Sequence, residues 1–149
     1  MTTFDGEYEP SPWEPIADQV ELYERTGGAE GAEFMGGRCI ILTTKGARTG
    51  RLRKTPLIQI TDGTNYVVIG SMGGAPTNPQ WVHNLRAEPR AQLQDGAVVR
   101  EYTAREVEGA EKAEWWRLAT SVWPDYDRYQ ESTSRTIPLF VLEPVGDAT

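Results

Sequence analysis

The chain of 149 residues holds a single cysteine, Cys39, and a single histidine, His83. One thiol excludes an intrachain disulfide framework and a cysteine-based metal cluster. One imidazole leaves no histidine-rich metal site and weakens any Ser–His–Asp triad, so His83 reads as a surface or hydrogen-bonded helix residue. No apolar run approaches the roughly 20 residues of a membrane-spanning helix, and no signal-peptide pattern opens the chain. An excess of positive charge is missing too: 22 acids face 15 lysines and arginines, a formal net charge of −7. That balance argues against a nucleic-acid partner and against adhesion to anionic lipid. The expectation is a metal-free, cytoplasmic protein without integral membrane contact, a peripheral position at the membrane being left open.

Residues 1–11 are acidic and contain proline, and they read as a mobile tail before one domain spanning 12–145. Ser11-Pro12 opens a predicted helix in which Trp13, Ile16, Ala17, Val20 and Tyr23 share a face, and Thr26-Gly27-Gly28 closes it. Strands are expected at 38–44, 55–61 and 65–70, with Asp62-Gly63 as the turn between the last two. Asn78 as N-cap and Pro79 as first helical residue begin a second helix, which Pro89 stops near Ala87. A hairpin over 91–94 and 97–107 follows, then a helix over 109–122 that Pro124 breaks, and a last strand over 136–142. Hairpins interleaved with three helices predict a small β-barrel of α+β type.

Two segments carry chemistry. Arg38, Lys45, Arg48, Arg51, Arg53 and Lys54 fall in one stretch, and no acid occurs from Phe34 through Thr61. In so acidic a chain this block is a candidate seat for phosphate or carboxylate groups, a solvated hairpin loop being the plainer alternative. The second segment is the apolar run Tyr66-Val-Val-Ile69 followed by Gly70-Ser-Met-Gly-Gly-Ala-Pro-Thr-Asn-Pro79. Strand, glycine loop and helix N-terminus in that order gather backbone N–H groups into a cradle for a flat, electron-rich or anionic cofactor. Ser71 is a candidate donor to a flat ring or a proton relay. Beyond the helix break, Trp123, Tyr126 and Tyr129 recur every three residues. They can wall a cavity for an apolar, electron-poor substrate, or pack a core.

The stretch Leu42-Thr-Thr-Lys-Gly-Ala-Arg-Thr-Gly-Arg-Leu-Arg-Lys-Thr-Pro-Leu57 resembles a loop of the deazaflavin-dependent nitroreductase family. Ser71-x-Gly-Gly, Asn78-Pro-x-Trp-x-x-Asn-Leu85, Pro89 and Thr133-x-Arg-Thr-Ile-Pro138 follow in the same order as in that family. The resemblance implies a split β-barrel of flavin-binding type, about six mostly antiparallel strands with flanking helices. It implies coenzyme F-420, an 8-hydroxy-5-deazaflavin bearing a phosphate and an oligoglutamate tail. The reduced coenzyme would pass hydride to a quinone, enone or nitro compound, and a separate enzyme would reduce it again. By correspondence, Lys45, Arg48, Thr49, Gly50, Arg53, Lys54, Thr55 and Pro56 lie along the coenzyme's side chain and ring edge. Ser71, Met72, Gly73, Gly74, Asn78, Pro79 and Trp81 surround its ring and phosphate. Trp123, Tyr126 and Tyr129 form the substrate wall. The reduced substrate then needs a proton, from Tyr126, Tyr129, Ser71 or water. Met72 stands where a lysine commonly follows the serine, and Trp123 where the nitroreductase has a tyrosine. Two other classes remain: an enzyme of flavin mononucleotide (FMN) on the same barrel, and a non-catalytic carrier of the deazaflavin or of a lipid.

Overall fold

A computed structural model describes residues 6–34 and 37–145. Its helices are α1 (Glu14–Thr26), α2 (Gln80–Ala87), α3 (Gly109–Val122) and α4 (Asp125–Glu131). Its strands are β1 (Glu33–Phe34), β2 (Gly37–Lys45), β3 (Leu52–Ile58), β4 (Tyr66–Ile69), β5 (Arg90–Asp95), β6 (Val98–Val107) and β7 (Leu139–Pro144). The order β3-β2-β5-β6-β7-β4 is antiparallel throughout, and β1 pairs with the start of β2. Beyond β3 the chain meets β4: the Val67 N–H donates to the Ile60 carbonyl at 2.9 Å, and Thr61 bridges Tyr66. The sheet therefore curls until its two outer strands nearly close, giving the expected split barrel. Among the described residues no helix is long and apolar enough to cross a membrane.

Strands β2, β4 and β7 are covered on both faces, which explains why they read as apolar runs, whereas β5 and β6 alternate. Ile40, Leu42, Val68, Phe140 and Leu142 pack with Leu93, Tyr102 and the Trp81–Val82–Leu85 face of α2. Their neighbours Val67, Ile69, Leu139 and Val141 pack on the other side with Ala119 of α3 and Tyr126 of α4. Cys39 and Ile41 are covered by Val20 and Tyr23 of α1. Helix α2 can approach β4 because residue 70 is glycine: a Cβ there would stand 2.7 Å from Val82 Cγ2.

Asp95, at the end of β5, laces the curled sheet. Its carboxylate accepts from the Tyr66 hydroxyl at 2.5 Å and from Gln59 Nε2 at 2.7 Å. Arg38 lies 3.9 Å from it, which puts that arginine at the opposite end of β2 from the rest of the basic stretch.

The structure corrects several boundaries. Helix α1 begins at Glu14, so Trp13 is its N-cap and is 64% exposed instead of sharing the buried face. Strand β3 begins at Leu52, because Thr43, Thr44 and Lys45 continue the ladder onto Lys54, Arg53 and Leu52. Arg53 and Lys54 thus stand on a strand and not in the loop. Pro79 is the N-cap of α2, since Asn78 is engaged elsewhere. Pro124 ends α3 as expected but caps a fourth helix, α4. Strand β7 starts three residues late because the Ile137 N–H donates to Gln130 Oε1 at 2.9 Å. The expected tail is described from residue 6 onward, and there it lies against β3. The Leu52 N–H donates to the Glu7 carbonyl at 2.8 Å, and the Glu9 N–H to the Leu52 carbonyl at 2.9 Å. Residues 1–5 lie outside the described residues.

Replacing Asp95 by alanine strands two donors and should cost about 1–3 kcal/mol in chemical denaturation. A midpoint unchanged from the parent chain would show that the lacing is idle.

Candidate functional site

Two cavities share a border. A cleft of about 440 Å³ has β3, from Thr55 to Ile58, along one side and Ser71, Met72, Gly73, Pro79 and Trp81 along another. Trp123, Tyr126 and Tyr129 close it. A groove of about 640 Å³ runs along Gly46–Thr49, with Glu9 and His83 beside it. Arg53, Gln80 and Asn84 line both.

Asn84 holds the groove's loop in place. It is 1% exposed, and its Oδ1 accepts from the Ala47 N–H at 3.0 Å and from Gln80 Nε2 at 3.2 Å. Its Nδ2 donates to Thr44 Oγ1 at 3.1 Å. Within the loop the Gly46 N–H donates to the Arg51 carbonyl at 2.7 Å, and the Gly50 N–H to the Gly46 carbonyl at 2.9 Å. The loop is therefore a closed turn carrying exposed Arg48 and Arg51.

Arg135 holds the glycine loop. Its guanidinium donates to the Ser71 carbonyl at 2.8 Å, the Ala75 carbonyl at 2.8 Å and Asn78 Oδ1 at 2.6 Å. Ser71 is right-handed (φ −73°), whereas Met72, Gly73 and Gly74 have φ of 46°, 65° and 85°. Such a change of hand sets successive N–H groups on one side, a concavity that favours anions and electron-rich edges. Met72 tolerates a conformation that ordinarily costs a side chain on the order of 1 kcal/mol or more. Gly74 is required for a second reason: a Cβ would stand 2.2 Å from Ser132 Oγ and 3.0 Å from the Tyr129 carbonyl oxygen.

The aromatic wall belongs to α4 and the turn before it. Tyr126 is 6% exposed, edge-on to Tyr129 with ring centres 6.1 Å apart. Burial pushes its phenol well above the ordinary tyrosine value, so it keeps its proton at any working pH. Trp123 Nε1 donates to the Tyr129 hydroxyl oxygen at 3.4 Å. An indole offers no acceptor, so this contact leaves the Tyr129 O–H to serve another partner.

Of the residues expected to contact a coenzyme, Arg48 and Thr49 line the groove, and Arg53 stands at the border. Lys54, Thr55, Pro56, Ser71, Met72, Gly73, Pro79 and Trp81 line the cleft. Lys45, Gly50, Gly74 and Asn78 line neither. Gly50 closes the turn with φ 71°, Gly74 admits α4, and Asn78 supports Arg135. Lys54 is ion-paired with Glu24, and its ammonium lies 4.8 Å from the Tyr8 ring centre. Asn84 and Arg135 received no role from the sequence although both lie inside its motifs. The signal for Asn84 was a polar residue on the Trp81–Leu85 face of an otherwise apolar helix stripe.

Residues 16–144 match the model of the F-420H(2)-dependent quinone reductase family. The chain belongs to that family. It is 34% identical over 125 residues to the F-420H(2)-dependent quinone reductase Rv1261c of Mycobacterium tuberculosis, spanning 81% of this chain and 84% of that protein. A solved F-420-H2-dependent reductase, FDR-A, superposes with TM-score 0.67 at 40% identity, covering 70% of this chain and 93% of that one. A second solved chain, described as a domain-swapped dimer, gives TM-score 0.70 at 38% identity over 89% of this chain and all of the other. An F-420-dependent quinone reductase is an oxidoreductase whose coenzyme is the deazaflavin. The cavities suit such a group: an apolar cleft for a flat ring runs directly into a basic groove for phosphate and carboxylates.

Asn84→Ala should cost about 1–3 kcal/mol, since the Ala47 N–H and the Thr44 hydroxyl lose their partner. Hydrogen exchange at Ala47 and Gly50 should accelerate with it. Unchanged exchange there would mean the loop is held by something else.

Proposed function

We propose that this chain reduces quinones with reduced coenzyme F-420, its ring in the apolar cleft and its anionic appendage in the basic groove. The observation that carries this reading is the border itself: Arg53, Gln80 and Asn84 face both cavities, so one ligand can occupy both. When bound, the reduced deazaflavin supplies hydride, and the chemistry of that step is the coenzyme's own. The residues of the chain supply place, dryness and a proton. Ser71, Met72 and Gly73 would receive the ring edge, with Trp81 beside them. Arg48, Thr49 and Arg53 would take the phosphate and carboxylate oxygens. Trp123, Tyr126 and Met72 would shield the cleft from water, which strengthens each electrostatic contact inside it.

The proton for the reduced quinone oxygen is assigned to Tyr129. Burial raises the pKa of Tyr126, which makes its phenol a poorer proton donor than an ordinary tyrosine. Tyr129 instead has its hydroxyl oxygen anchored by Trp123 and its O–H free to donate. Ser71, 7% exposed, lines the cleft beside Met72 and Gly73 and is read as a ring contact. Regeneration of the reduced coenzyme is assigned to a separate enzyme, both working in the cytoplasm.

Fluorescence titration with F-420, against FMN as competitor, tests the binding half. F-420 should bind, and Arg48→Ala with Arg53→Ala should weaken it at least about tenfold, as expected for two charge-assisted hydrogen bonds. Displacement by FMN at equal concentration would favour a flavin enzyme, and binding without oxidation by any quinone a carrier. For the chemical half, Tyr129→Phe should lower turnover about 10²-fold or more with coenzyme affinity unchanged, and Tyr126→Phe far less. Equal turnover in Tyr129→Phe would remove that hydroxyl from the reaction.

A further inference from the structure

The cation at the border of the two cavities already has a carboxylate. Arg53 Nη1 lies 3.4 Å from Glu9 Oε1, and Glu9 is the one acid that lines the groove among the described residues. Glu9 reaches it from a strap, residues 6–10, that runs beside β3. Two backbone hydrogen bonds with Leu52 hold that strap, and Tyr8 and Leu52 form a parallel bridge. Gly6 and Glu7 are exposed, and the strap's one aromatic side chain, Tyr8, is 36% exposed with its ring against the Lys54 ammonium. Glu24, the partner of Lys54, differs in kind: it sits on α1, whose Val20 and Tyr23 are buried in the core. One carboxylate sits on a helix packed into the core, and the other on a short segment joined to the barrel's edge at Leu52.

We propose that Glu9 occupies the place of one anionic oxygen of the ligand, so that the strap competes with the coenzyme's appendage for Arg53. The proposal rests on the reading that this appendage enters the groove. A guanidinium can serve several oxygens, but two carboxylates crowded on one face of it repel each other, and the weaker-held one leaves. A half-exposed ion pair on a segment held by two hydrogen bonds is the weaker-held one. Glu9 therefore tunes affinity for the anionic part of the coenzyme and leaves affinity for the ring alone untouched.

The test compares the full chain with Glu9→Gln and Glu7→Gln. Each is titrated with F-420 and with its chromophore lacking phosphate and glutamates. Glu9→Gln should bind F-420 about two- to fivefold more tightly, the range for losing a competing exposed ion pair. It should bind the tail-free chromophore as the parent does, and Glu7→Gln should match the parent with both ligands. In the parent chain, adding F-420 should speed cleavage after Glu7, within the strap, by a glutamyl endopeptidase. If the parent binds F-420 but Glu9→Gln binds it no better, the competition is refuted while the binding reading stands. An equal gain in Glu7→Gln or for the tail-free chromophore also refutes it, as does strap cleavage that F-420 leaves unchanged. If no variant binds F-420, the underlying reading falls and takes the proposal with it.

Discussion

The buried amide of Asn84 decides where the apolar cleft stops and the basic groove starts. It is 1% exposed and joins the end of β2, helix α2 and the loop that carries the arginines. A buried amide of this kind is held by its partners or not at all. In a chain of net charge −7, cations left on a mobile loop would be drawn to the surrounding acids. Fastened by Asn84, the loop presents them beside the cleft instead.

A second polar clamp completes the frame. Arg135 reaches back from the segment after α4 to three acceptors of the glycine loop, and Gly74 lets α4 itself close on that loop. The two cavities are thus bounded by two loops, the groove's tied down by buried Asn84 and the cleft's by half-buried Arg135. This frame matches the chemistry of the family. The coenzyme brings the reactive atom, and the protein has to provide position, exclusion of water and a proton donor. A site with one exposed histidine and no reactive cysteine suffices for that: burial pushes the Cys39 thiol up to about 11.

Much of this was legible in the sequence where local physics decides. Helix α3 has the predicted span, because Gly109 and Pro124 punctuate it, and α2 ends before Pro89 as expected. The hairpin of β5 and β6 follows from Asp95-Gly96. The misses are tertiary. Strand β3 starts early because β2 offers a ladder as far as Lys45. Asn78 has a cap's chemistry but is taken by Arg135, 57 residues away. Asn84 and Arg135 themselves act on partners 37 and 64 residues distant, carbonyls and amides that no local pattern displays. The motif residues were therefore readable as a set, while the division between those that line the cavities and those that hold the loops was not.

A coenzyme gripped by charge is loosened by salt. The dissociation constant of F-420 should rise steeply between about 20 mM and about 500 mM salt, as the Debye length falls several-fold. That of the chromophore without its anionic appendage should barely move. Parallel curves for the two ligands, or an F-420 affinity indifferent to salt, would contradict a coenzyme gripped through the basic groove.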